Sequence, residues 1–110
     1  MLSYYILNGK EVVPVSIDVW SAWFVTADRK VALTVINPEE EVSTVFWGMD
    51  HNCSGGSPIL FETMVVGGPE DANCIRYHTW DEAFEGHWKT VNRLTGGNLV
   101  HLSIKKAEGG

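Results

Sequence analysis

Hydrophobic and polar positions change their period several times along this chain, and each change marks an element. Tyr4 to Val13 reads as a β-hairpin, with Asn8-Gly9 as the pair expected at positive φ in a two-residue turn. Pro14 has no amide donor, so it ends that strand or sits on an edge. Ser16 is placed to cap a helix from Ile17 to about Ala27, whose Trp20, Trp23, Phe24 and Ala27 share one face at helical spacing. Val31 to Ile36 is a β-branched, apolar strand stopped by Asn37-Pro38. Val42 to Gly48 follows. It alternates Val42, Thr44 and Phe46 with Ser43, Val45 and Trp47, and two fairly apolar faces predict a central strand. After a loop from Asp50 to Pro58, Ile59 to Val66 is a third strand ended by Gly67-Gly68-Pro69, and Cys74 to His78 is a fourth.

The period then returns to that of a helix. Thr79 and Glu82 form a Thr-x-x-Glu capping box, and Asp81 and Glu82 lie in the first turn, where the helix dipole favours negative charge. Trp80, Ala83, Phe84, His87, Trp88, Val91 and Leu94 make one stripe, Glu85 and Lys89 are an i,i+4 pair, and Gly96 stands at the C-cap. Gly86 suggests close approach of another backbone. Asn98 to Ile104 has strand character. Short connections favour a meander. The expected fold is therefore α+β: an antiparallel β-sheet of about four to six strands with two helices packed on one face. It forms one domain over 1–110, with 96–110 an extra edge strand or a tail.

Composition narrows the function classes. A chain of 110 residues that is 45% hydrophobic and holds five Trp can bury a core without a disulfide or metal staple. Eight basic against fourteen acidic residues give a net charge of -6, which disfavours a sequence-independent phosphate binder; no nucleic-acid partner is expected. The basic residues are scattered, and the aromatic residues lack the basic neighbours of a base-stacking platform. Glu39-Glu40-Glu41 reads as a solvated start to a strand. No export signal or apolar run long enough to span a membrane is found, so a cytoplasmic setting, no membrane partner, and free thiols at Cys53 and Cys74 are expected.

The candidate chemistry lies between Trp47 and Trp88. Alternation puts Glu62 on a strand face with Leu60 and Met64, and Cys74, Arg76 and His78 on one face of the next strand. Pairing of those strands brings Glu62 near Arg76 or His78, with Asp50 and His51 beyond the end of the preceding strand. A pocket of Asp50, His51, Glu62, Arg76 and His78 could hold a carboxylate–imidazole acid/base pair. The structural alternative is a cross-strand Glu62–Arg76 ion pair, an Asp50 that accepts turn hydrogen bonds, and a His87 that is a hydrogen-bonded core residue rather than a ligand-binding one. His51-x-Cys53 and Cys74-x3-His78 have zinc-type donors, but four strand residues span about 13 Å, so no metal is expected. No nucleophile elbow, phosphate loop or dinucleotide fingerprint is present, and no cofactor is expected.

The runs Val42 to His51, Pro58 to Pro69, Arg76 to Ala83 and Gly86-His87 together resemble a small protein family common in phages, prophages and environmental bacterial sequences. The resemblance extends to about Leu94. It covers Asp50-His51, Phe61-Glu62-Thr63 and Thr79-Trp80-Asp81-Glu82, but neither cysteine. It implies mobile-element provenance and no particular activity. Two readings follow. One is a non-enzymatic accessory protein acting by protein–protein interaction or self-association, its acidity suited to a basic partner. The other is a small hydrolase or ligand-binding domain with Asp50, His51 and Glu62 at its pocket.

Overall fold

The computed structural model describes residues 3–50, 55–97 and 103–106. The elements run β1 (Tyr4–Asn8), β2 (Glu11–Val15), α1 (Ile17–Thr26), β3 (Lys30–Asn37), β4 (Glu40–Phe46), β5 (Phe61–Val66), β6 (Cys74–Tyr77), α2 (Trp80–Thr95) and β7 (Ser103–Lys106). This is an α+β fold. Strands β3 to β6 form an antiparallel meander, and β7 adds to its β3 edge, giving the order β6-β5-β4-β3-β7. As its two apolar faces suggested, β4 is central. Residues 98–102 of the expected last strand lie outside the described residues.

The hairpin β1–β2 is a separate two-stranded sheet. Its register pairs Asn8 with Glu11, so the turn residues are Gly9-Lys10 rather than Asn8-Gly9. Gly9 has φ +65° and Lys10 is not at positive φ. Only the first turn position needs the left-handed region, and glycine fills it at no steric cost. Pro14 sits inside β2 opposite Tyr5, whose amide turns away from β2 to the Gly48 carbonyl, so the missing N–H lies on the outer edge and breaks no bond to β1.

Each helix begins where its cap residue stands. The Ser16 side chain accepts from the Val19 amide. Thr79 and Glu82 form the reciprocal capping box of α2, which ends at Gly96 with φ +63°. The strand ends are shorter than the apolar pattern implied, each for a local reason. β4 stops before Gly48, whose φ is +71° and where a Cβ would stand 2.4 Å from the Tyr5 carbonyl oxygen. The Ile59 amide donates to the Asp50 side chain at 3.1 Å, and β5 starts only at Phe61. The His78 amide donates to Glu82 at 3.0 Å within the cap of α2, which takes His78 out of β6.

Helix α2 lies across the sheet and covers Ala32, Thr34, Val42, Thr44, Phe46, Phe61, Thr63 and Val65, all buried. The core joins Val31, Phe46, Leu60, Phe61 and Ala83, with Tyr5, Leu7 and Val12 of the hairpin, Trp23 of α1, and Trp80 and Phe84 of α2 packed against it. Trp23 meets Phe46 edge-on at 5.6 Å, which brings α1 to the face that α2 covers. The opposite face carries Leu33, Val35, Val45, Glu62, Met64 and Val66, of which Met64 and Val66 are exposed.

Candidate functional site

The β5–β6 register sets Glu62 directly opposite Arg76 on the face away from α2. Arg76 Nε donates to Glu62 Oε2 at 3.0 Å, while the Glu62 residue is only 9% exposed. Beside the pair is a recess of about 440 Å³ bordered by Trp47, Met49 and Ile59. Glu62 and Arg76 both line that recess.

The other members of the expected pocket do not all reach it. Asp50 is engaged elsewhere: its Oδ1 accepts from the Ile59 amide, and its own amide donates to Ser3 at 3.0 Å. It thus ties the chain after β4 to the start of β5 and to the N-terminal segment. His78 has left the strand, so it does not share a face with Arg76. Its Nδ1 donates to the Pro58 carbonyl at 2.9 Å, and the ring borders a groove between β6 and α2. His51 and Cys53 lie outside the described residues. Cys74 is an exposed thiol that donates to the Ala72 carbonyl at 3.3 Å. Among the described residues no group of three or more His, Cys, Asp or Glu side chains converges as a metal site.

His87 stands apart from these residues. Its ring is fully buried between α2 and the sheet. Nε2 is 2.8 Å from Thr34 Oγ1, Nδ1 is 2.7 Å from Thr44 Oγ1, and Thr44 Oγ1 is 2.6 Å from Thr63 Oγ1. A neutral imidazole has one donor and one acceptor nitrogen, and a hydroxyl can both donate and accept. The chain of bonds therefore closes in either direction, from Thr34 toward Thr63 or the reverse. Burial pushes the His87 pKa down from 6.5 to about 4, which keeps the ring neutral. It has no access to solvent and acts as a polar clamp across three strands. The three threonines were not singled out in the sequence. Their signal was regular placement on the helix-facing side of adjacent apolar strands.

Gly86 lies one residue before His87. A Cβ there would fall 2.3 Å from the Tyr77 hydroxyl and ring, so the close neighbour is a side chain and not the expected backbone. The Tyr77 hydroxyl is buried with no hydrogen-bond partner among the described residues.

The surface near Trp47 is aromatic. Tyr4, Trp20, Phe24 and Trp47 form a chain of ring contacts, and Trp20 Nε1 donates to the Trp47 carbonyl at 3.3 Å. Basic groups do adjoin some of the aromatic rings, contrary to expectation. Arg29 lies 3.9 Å over Phe24 and Lys10 lies 4.5 Å over Trp80, on ring faces that a stacked base would need. Helix α1 has no buried residue although Asp18 is its one charge. Ile17, Ser21 and Val25 form one outer row at i,i+4 spacing, with Asp18, Ala22 and Thr26 in the row beside it and Val19 beyond. Val25 is 82% exposed, Ile17 51% and Trp47 43%.

Comparison of the chain with protein-family models, with curated proteins and with solved structures yields no match.

Proposed function

We propose that this chain is a non-enzymatic accessory protein that works by binding another protein or a copy of itself. The observation that carries this reading is α1. Seven of its ten residues are apolar, and beside the exposed Asp18, Ser21 and Thr26 it leaves Ile17, Val19 and Val25 in water. Trp47, stacked on Phe24 of the same helix, is also exposed, and aromatic anchors of this kind contribute heavily to protein interfaces. The net charge of -6 supports a basic partner, which long-range attraction would steer onto the surface. Resemblance to phage and prophage sequences supports a mobile-element origin.

The test is a paired variant, Ile17→Asp with Val25→Asp. It is expected to fold and melt like the parent, because neither side chain is in the core. It should lose whatever the parent captures from a host lysate. Equal capture by parent and variant, or a parent that captures nothing and stays monomeric, would defeat the reading.

The recess beside Glu62 favours a second reading as a ligand-binding domain. A nearly buried carboxylate in the lining of a cavity suits a ligand that donates hydrogen bonds. Hydrolysis is less well supported, since Asp50 and His78 are engaged elsewhere. Binding lost in Glu62→Gln and kept in Asp50→Asn would support it, and equal binding in both would oppose it.

A further inference from the structure

We infer that β6 pairs edge to edge with β6 of a second copy of this chain, about a two-fold axis through Ile75. This rests on the interaction reading above but uses β6 and not α1.

The phase of the β5–β6 ladder comes first. The Val65 amide donates to the Asn73 carbonyl at 3.0 Å, and Thr63 faces Ile75 two residues further on. Hydrogen-bonded and non-hydrogen-bonded pairs alternate in an antiparallel ladder, so Thr63 and Ile75 are again a hydrogen-bonded pair. Cys74 and Arg76, between them, direct their N–H and C=O away from β5. Since β6 is the edge of the sheet, these four groups have no partner among the described residues.

A second β6 in antiparallel orientation satisfies all of them. With Ile75 opposite its own copy, Cys74 of each strand faces Arg76 of the other. Both are then hydrogen-bonded pairs, and every outward N–H and C=O of both strands is used. Ile75 meets Ile75 as a non-hydrogen-bonded pair, where Cα atoms approach to about 4.5 Å and side chains touch. This side chain is apolar and 44% exposed as the chain stands alone.

The charges fit the same axis. A groove of about 560 Å³ runs between β6 and α2, floored by Ile75 and Tyr77. Its α2 wall carries Glu82 and Glu85 toward the helix N-terminus and Lys89 and Arg93 toward the C-terminus, with Lys89 paired to Glu85 and Arg93 to Glu70. A two-fold axis reverses the second helix, so the acidic end of one wall lies across from the basic end of the other. A charge on an edge strand usually blocks pairing, but Arg76 is tied back to Glu62 on the face away from α2.

Sedimentation of the whole chain over a micromolar to millimolar range tests this. The mass is expected to rise from 12.2 kDa to twice that value. Ile75→Lys places two like charges on the axis, and Cys74→Pro deletes an outward N–H without removing a bond to β5. Each should weaken the dimer about tenfold or more, as expected for lost interstrand hydrogen bonds or a repulsive pair. Folding of each variant is checked by circular dichroism. Independently of those variants, Ile75→Cys in a chain with Cys53→Ser and Cys74→Ser should give a disulfide-linked dimer on mild oxidation, whereas Met64→Cys should not. A chain that stays monomeric throughout and gives no Ile75→Cys cross-link overturns the inference and leaves the β6 edge to a foreign strand. A dimer that neither Ile75→Lys nor Cys74→Pro weakens overturns it as well. The two readings fail separately: a monomer that still shows α1-dependent capture refutes only the β6 dimer, and a β6 dimer without such capture refutes only the α1 surface.

Discussion

The imidazole of His87 and the hydroxyl of Thr44 meet at 2.7 Å in a space that water does not enter, between α2 and the middle of the sheet. Thr34 and Thr63, on the strands either side, extend the contact to three strands. A polar link in a core otherwise made of Val, Leu and Phe stabilises little by itself, but it is costly to leave half made. It therefore favours the one helix position and strand register that complete it.

The first expectation concerns acid. The folded His87 pKa of about 4 lies below its ordinary 6.5, so the unfolded chain takes up a proton that the folded chain refuses. The stability involved is fully present above pH 6.5 and is lost as pH falls toward 4, by about 3 kcal/mol in total. Denaturant titrations across that window should show the decline, and His87→Gln, which cannot titrate, should flatten it.

Thr44 is the middle of the clamp. Thr44→Val keeps shape but strands both His87 Nδ1 and the Thr63 hydroxyl, with an expected loss of about 1–3 kcal/mol. Thr63→Val leaves the His87–Thr44 bond in place and should cost less. Urea midpoints of the two variants decide the order, and a larger loss from Thr63→Val would contradict the assignment.

Gly86→Ala would raise helix propensity by about 1 kcal/mol in open solvent. Here the new methyl group collides with Tyr77, so the variant should be less stable than the parent. Tyr77→Phe removes a buried hydroxyl that has no partner among the described residues, and should be neutral or stabilising in thermal melts.

Two ion pairs of equal length should behave differently. Glu62–Arg76 and Glu85–Lys89 both span 3.0 Å, but the Glu62 side chain is nearly buried and both members of the second pair are exposed. Lys89→Ala should change stability by no more than about 0.5 kcal/mol. Arg76→Ala leaves a nearly buried carboxylate in the sheet without its partner and should cost clearly more, read as a lower urea midpoint.

Much of this molecule was legible from local pattern. The α2 capping box, the Gly96 stop, the Ser16 cap and the alternation of Val42, Thr44 and Phe46 depend on neighbours within a few residues, and the structure repeats them. The Glu62–Arg76 pairing was legible too, because a short turn between two alternating strands leaves few registers. The expected five-residue pocket was less so. Whether His78 stayed on β6 depended on competition for its amide from Glu82, and the direction of Asp50 on an acceptor needed by Ile59.

Sequence alone determined the elements, their α+β class and the face each apolar residue would seek, since these follow from spacing and from the bonding capacity of single residues. Tertiary structure alone decided that Thr34, Thr44 and Thr63 converge on His87 and that Tyr77 fills the space over Gly86. It also decided that Ile17, Val19 and Val25 of α1 stay exposed while Trp23 packs on the core, and that β6 is left as an edge. Those outcomes depend on how far one layer lies from another and on which surfaces run out of partners, and neither quantity is encoded in any single stretch of chain.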